Sequence, residues 1–182
     1  LLALLVVGCD NSTEPKDCLG VAGGSAYLCD GACSIELWGE CFSITIYNLD
    51  LSNSGLTGEI PHEIGELTNL TSLILRYNEL TGPIPPEIGD LTQLWSLDLR
   101  FNNLSGSIPA ELWTLTNLAQ LRIQKNQFTG LIPADIGNLT QLTHLYLYGN
   151  QFTGPIPSEI FNLTNVVKFH INNNQFTGFI PE

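Results

Sequence analysis

Asparagine recurs every 24 residues along this chain, at Asn78, Asn102, Asn126, Asn150 and Asn174. The same string returns around each: LILRYNELTGPIP at 73–85, LDLRFNNLSGSIP at 97–109, LRIQKNQFTGLIP at 121–133, LYLYGNQFTGPIP at 145–157 and FHINNNQFTGFIP at 169–181. An earlier copy, LDLSNSGLTGEIP at 49–61, has Ser54 in the Asn position. A period of this length demands a solenoid, a coil of near-identical turns, none of which can bury its apolar face alone.

Each turn has a legible internal plan. The L-x-L piece predicts a short strand whose leucines point inward and whose intervening residues point out. Stacked turns then form a parallel sheet with strands about 4.8 Å apart. The Asn of each turn is read as a buried structural residue whose amide bonds backbone of the neighbouring turn. The following I-P is read as an extended edge segment, because proline fixes φ and removes a donor. A second apolar set, such as EIGELTNL at 63–70, predicts a short helical turn on the far side. A Thr column at 68, 92, 116, 140 and 164 is read as structural, its hydroxyls satisfying local turn backbone.

With L-T-G-x-I-P in most turns, the stretch from about 42 to 182 resembles the plant-type leucine-rich repeat. The resemblance implies an α/β solenoid: a right-handed superhelix of 24-residue repeats with a concave parallel sheet and short 3-10 or α turns on the convex side. It also implies small second-sheet strands at the G-x-I-P segments. Residues 46–182 are assigned to this domain as six repeats, the last incomplete. The family's usual role is recognition, in receptor ectodomains and polygalacturonase-inhibiting proteins, and such repeats also occur in bacterial surface proteins. ELWGECFSITIYNLDLSNSGLTGEIP at 36–61 is similar to the family's cap-to-repeat junction, where W-G-x-x-C precedes the first repeat; here Trp38-Gly39-Glu40-Cys41 is one residue shorter.

The amino end is of a different kind. Residues 1–9 read LLALLVVGC, and Val6-Val7-Gly8-Cys9 resembles the bacterial lipobox, which implies a lipid on Cys9 and removal of the peptide before it. The alternative is an ordinary signal-peptide remnant with an incidental cysteine. The run is too short to span a membrane, so any membrane contact is assigned to the lipid alone. DNSTEPKD at 10–17 reads as a polar tether. Cys18, Cys29, Cys33 and Cys41 then mark a cap over 18–45 held by two disulfides, with three connectivities open. Zinc is the rival, and the spacings lack paired C-x-x-C knuckles.

Eighteen acidic against six basic residues give a formal charge of −12. That balance opposes nucleic-acid binding, which needs phosphate-neutralising cations, and suits an exported protein at a cell surface or secreted. No G-x-S-x-G, H-E-x-x-H or phosphate loop occurs, and no acid, base and nucleophile converge, so neither an enzyme, a cofactor nor a metal is expected.

What remains informative is the outward strand face. Its positions fall into four columns: 48, 72, 96, 120, 144, 168; then 50, 74, 98, 122, 146, 170; then 52, 76, 100, 124, 148, 172; then 53, 77, 101, 125, 149, 173. Five of the six basic residues lie there: Arg76, Arg100, Arg122, Lys125 and Lys168. Tyr77, Phe101, Tyr146 and Tyr148 add aromatics, His144 and His170 lie beside them, and Asp98 and Asp50 are the acids of this face after residue 45. Exposed aromatics beside arginine have the composition of binding hot spots. Arg76 and Arg100, about 5 Å apart in water, repel by about 0.8 kcal/mol, which a bridging anion relieves. The bland reading is that Asp98 neutralises Arg100 and Arg122 in exposed pairs worth little. The face is therefore expected to bind a protein loop or an anionic glycan, with no catalysis. The alternative is a structural spacer or adhesin segment whose repeats give length and stiffness.

Overall fold

In the computed structural model, residues 35–179 are described. Cys9, the tether at 10–17, and the cap cysteines Cys18, Cys29 and Cys33 lie outside them. The chain is the solenoid that its period demands. Six three-residue strands, β3 (Asn48–Asp50), β5 (Ser72–Ile74), β7 (Ser96–Asp98), β9 (Gln120–Arg122), β11 (His144–Tyr146) and β13 (Lys168–His170), lie side by side in chain order in one sheet. All its pairings are parallel, and the register advances by one repeat per strand: Leu49, Leu73, Leu97, Leu121, Leu145 and Phe169 stand in line. The five leucines point into one continuous core, Leu73, Leu97, Leu121 and Leu145 with no exposed surface, whereas Phe169 is 44% exposed.

Ahead of the sheet, β1 (Ile35–Leu37) and β2 (Glu40–Phe42) form an antiparallel hairpin. Its turn is Trp38-Gly39, both in the left-handed region at φ 50° and 80°. Ile35, Leu37 and Phe42 are buried against the first turn of the coil, and Trp38 Nε1 donates to the Glu59 carbonyl at 3.1 Å. The hairpin thus covers the apolar end of the first repeat, an end that otherwise faces water.

On the far side each turn carries one five-residue 3-10 helix: η1 (His62–Glu66), η2 (Pro86–Asp90), η3 (Ala110–Thr114), η4 (Ala134–Asn138) and η5 (Ser158–Asn162). The proline of each I-P sits just ahead in extended geometry, Pro61 at φ −61° and ψ 141° for example. Prolines therefore launch these helices. The second strands lie one step earlier than expected, at the N-x-L-T-G segments. They are β4 (Thr57–Gly58), β6 (Glu79–Leu80), β8 (Ser105–Gly106), β10 (Gln127–Phe128), β12 (Thr153–Gly154) and β14 (Gln175–Phe176), paired β4–β6, β8–β10 and β12–β14. The residues before proline keep their N–H groups, so the ladder forms there and stops short of the I-P.

The Asn column forms a shared ladder. Asn126 Oδ1 accepts the Leu104 N–H, and its Nδ2 donates to the Leu99 and Ile123 carbonyls. Leu99 O also accepts from Asn102, and Ile123 O from Asn150, so each carbonyl serves two asparagines. Where the first copy has Ser54, its backbone N–H simply donates to Asn78 Oδ1. The Thr column behaves otherwise than expected. Thr68, Thr92, Thr116, Thr140 and Thr164 are exposed. Their turns are tied instead through the Thr92, Thr116 and Thr140 N–H groups and by the amides of Asn117 and Asn165, which donate to Thr92 O and Thr140 O. A hydroxyl facing water need not compete for that backbone.

One column on the far side controls how closely the 3-10 helices approach. A Cβ on Gly65 would lie 2.7 Å from Glu87 Cβ, and one on Gly89 would lie 2.6 Å from Glu111 Cβ. The next position in that column is Trp113, whose indole is only 1% exposed.

Candidate functional site

The register sets the outward columns of the sheet. Asn48, Ser72, Ser96, Gln120, His144 and Lys168 form one row, and Asp50, Ile74, Asp98, Arg122, Tyr146 and His170 the next. The segments after the strands carry Arg76-Tyr77, Arg100-Phe101, Gln124-Lys125 and Tyr148-Gly149. Tyr77, Phe101 and Lys125 adopt positive φ, at 57°, 56° and 59°. For such side chains this conformation is costly, and the repeat geometry imposes it in every turn.

Two zones result. In the first, Tyr77 and Phe101 stack with centroids 4.7 Å apart and planes at 13°. The Arg76 and Arg100 guanidinium carbons lie 6.0 and 5.7 Å from the Tyr77 centroid. Tyr77 keeps 48% of its surface exposed, so the stack is open to a ligand. In the second zone, Tyr146 stacks on His170 at 5.0 Å, Tyr148 meets His170 edge-on at 6.3 Å, and His144 lies 6.1 Å from Tyr146. The Tyr146 ring thus stands between the two histidines. Arg122 reaches over Tyr146 and Lys125 over Tyr148, at 6.0 and 5.8 Å, linking the zones by cation–π contacts. Lys168 is exposed at the far corner.

Asp98 departs from the sequence expectation. It lies on the strand face, yet it is 2% exposed beneath its neighbours. Its Oδ2 is 3.3 Å from Arg100 Nε and 3.8 Å from Arg122 Nη1, and its Oδ1 accepts the Arg100 backbone N–H. The pairs are therefore not the exposed, screened kind, and Asp98 cannot meet a ligand directly. The Arg100 Nε contact is close enough for charge attraction but is not a hydrogen bond, and Arg76 Nε, Arg100 Nε and Gln124 Oε1 are buried without hydrogen-bond partners. Gln124 itself, read as outward, is 3% exposed and buried with Ser72 and Ser96. Alternation along a strand gives a side chain's face but not its depth, and these three lie deep on the outward face.

Burial raises the Asp98 carboxyl above its ordinary value of 3.8, against the opposing pull of Arg100 and its N–H, Arg122 and Arg76. A raised carboxyl favours the fold when protonated. That contribution is complete below the ordinary value and is lost as pH rises through the raised one. Asp98→Asn should therefore gain stability relative to wild type as pH climbs from about 3.5 to 7. Urea titrations of both proteins across that range check this, and a pH-independent difference would contradict it.

The acids Glu63, Glu66, Glu87, Asp90, Glu111, Asp135 and Glu159 lie on the 3-10 helices of the opposite side. Among the described residues, no group of three His, Cys, Asp or Glu side chains is placed to hold a metal ion, and no helix is long and apolar enough to cross a membrane.

The model of a leucine-rich repeat region matches residues 48–178. Among solved structures, the plant peptide hormone receptor RGFR1 in complex with RGF2 aligns at 42% identity and TM-score 0.72, covering 74% of this chain and 22% of that one. The Arabidopsis receptor kinase HAESA ectodomain, with an N-terminally extended IDA peptide hormone, aligns at 38% and 0.73, covering 75% and 23%. The SOBIR1 ectodomain from Arabidopsis thaliana aligns at 32% and 0.66, covering 71% and 73%. No curated protein matches. This chain spans less than a quarter of the first two receptors' length. With its repeats matched from the first long-sheet strand to the last, the chain belongs to the leucine-rich repeat family.

Proposed function

We propose that this chain is a non-catalytic recognition module that binds a peptide or protein segment across the strand face. The observation that carries the reading is the division of charge. Arg76, Arg100, Arg122 and Lys125 stand among stacked, solvent-open aromatics on one side, and the acids of the 3-10 helices stand on the other. A spacer has no use for four such cations packed over tyrosines, or for a buried carboxylate under them. Support also comes from the similar receptor structures that hold peptide hormones. An anionic glycan would meet the same arginines and has less use for the tyrosine rings.

An exported setting belongs to the same proposal. Cys41 is buried on β2 and disulfide-bonded, which supports a disulfide-held cap, and Val6-Val7-Gly8-Cys9 supports a lipid anchor. In a bacterial host, mass spectrometry should find the mature chain beginning at an acylated Cys9. A start elsewhere without acyl mass would remove the anchor and leave the face untouched.

The face is tested with a peptide selected by display against the folded protein. Arg100→Glu should weaken it by about 2 kcal/mol and Tyr146→Ala by about 1–2 kcal/mol, while Glu87→Lys on the far side should change little. Binding should also weaken as salt rises. Thermal melts of Tyr146→Ala and Glu87→Lys should stay near wild type, because these side chains lie outside the leucine core, whereas Arg100→Glu sets a carboxylate beside buried Asp98 and should lower the melt. Unchanged affinity in both face variants would favour the spacer.

A further inference from the structure

The two zones of the strand face differ in what they can recognise. The first, spread over β5, β7 and β9 and the segments following them, presents Arg76, Arg100, Arg122 and Lys125, with one carboxylate, Asp98, buried beneath. It carries a net positive charge and one open aromatic stack. The second, over β11 and β13, presents Tyr146, Tyr148, His144 and His170 and no acid, with Lys168 at its corner. Its rings are already parallel or edge-on to one another, so a further planar ring can extend the array at little entropic cost, since tyrosine has few rotamers to freeze.

We infer that the ligand is a bipartite peptide: an acidic cluster over Arg76, Arg100 and Arg122, joined to an aromatic residue over Tyr146, Tyr148 and His170. This rests on the strand face being the binding surface. The separation of the halves follows from the sheet. Arg100 and Tyr148 occupy the same column two strands apart, which is about 10 Å at about 4.8 Å per strand. An extended peptide crossing the strands covers that distance in about three residues. Arg122 and Lys125, leaning on Tyr146 and Tyr148, occupy the join, so the spacer should be uncharged or acidic rather than basic.

A series of fluorescent peptides tests this, each with a Glu-Asp-Glu block and a terminal Trp-Phe pair. The blocks are separated by about one, three or eight prolines, a semi-rigid spacer of about 3.1 Å per residue. Each is titrated by anisotropy against wild type, Arg100→Gln and Tyr146→Ala, with a heparin oligosaccharide as the glycan arm. The three-proline peptide should bind tightest. Arg100→Gln should weaken it about tenfold and leave a control lacking the acidic block unaffected. Tyr146→Ala should weaken it about tenfold and leave a control lacking the aromatic pair unaffected, a tenfold loss being about 1.4 kcal/mol. If Arg100→Gln weakens binding but spacer length and Tyr146→Ala do not matter, the bipartite ligand is wrong and the strand face stands. If neither variant alters any peptide, the face reading fails with it. Heparin binding tighter than every peptide, sensitive to Arg100→Gln and indifferent to Tyr146→Ala, would replace the peptide with a glycan.

Discussion

Asn126→Ala should cost the fold about 1–3 kcal/mol, more than the loss of one exposed amide. Asn126 is buried in the middle of the ladder, and its removal orphans the Leu104 N–H, which has Asn126 Oδ1 as its acceptor. The Leu99 and Ile123 carbonyls each keep one donor, from Asn102 and Asn150 respectively, so the penalty falls chiefly on that N–H. Asn126→Asp should be at least as damaging, because a carboxylate accepts from Leu104 but cannot donate to either carbonyl, and it buries a charge. Asn174→Ala should cost less, since its surroundings are only partly buried. Urea titrations give the ranking. Hydrogen exchange should show protection lost first in the turns on either side of 126, as stability in a solenoid is local. Equal costs at 126 and 174 would contradict the shared-ladder account.

Trp113→Ala should be the most severe single truncation, at about 3–5 kcal/mol, the range for emptying a large aromatic site in a core. The indole is 1% exposed and joins the continuous cluster that runs through every turn. Trp95 is the internal control: at 45% exposure its replacement by alanine removes little buried surface, and the melt should shift far less. A Trp113→Ala melt indistinguishable from that of Trp95→Ala would mean that the far-side helices close over the gap without loss.

The fold was legible because one period repeats so faithfully that the register of Leu73, Leu97, Leu121 and Leu145 is read by counting 24. The face was legible for the same reason, column by column. Depth was not. Alternation assigns Asp98 and Gln124 to the outward side and cannot say that they will be buried there, since for Asp98 that depends on Arg122, a neighbour 24 residues away on the next strand. Backbone conformation was hidden in a readable place. The column at 53, 77, 101, 125, 149 and 173 reads Asn, Tyr, Phe, Lys, Gly, Asn, and two asparagines with a glycine are the residues that tolerate positive φ. That signal, if followed, puts Tyr77 and Phe101 in the left-handed region too. The second strands fall one step before the I-P motif, because proline lacks the N–H that the residues just ahead of it supply to the ladder.

The Gly65–Gly89–Trp113 column has a consequence for the shape of the binding face itself. Hydrogen bonds hold the strands at a fixed spacing of about 4.8 Å, so the arc of the coil is decided on its outer rim, by how far apart successive 3-10 helices stand. Glycine lets η1 close on η2 and η2 on η3 until backbone and Cβ atoms nearly touch, which keeps the arc shallow. An indole fills the same slot at Trp113, and η3 meets η4 less closely than the other successive helices meet. The joint lies behind β7 and β9, the strands that carry Asp98 and Arg122. A single bulky residue on the back of the molecule thus stands at the joint behind the strands whose arginines converge on one carboxylate.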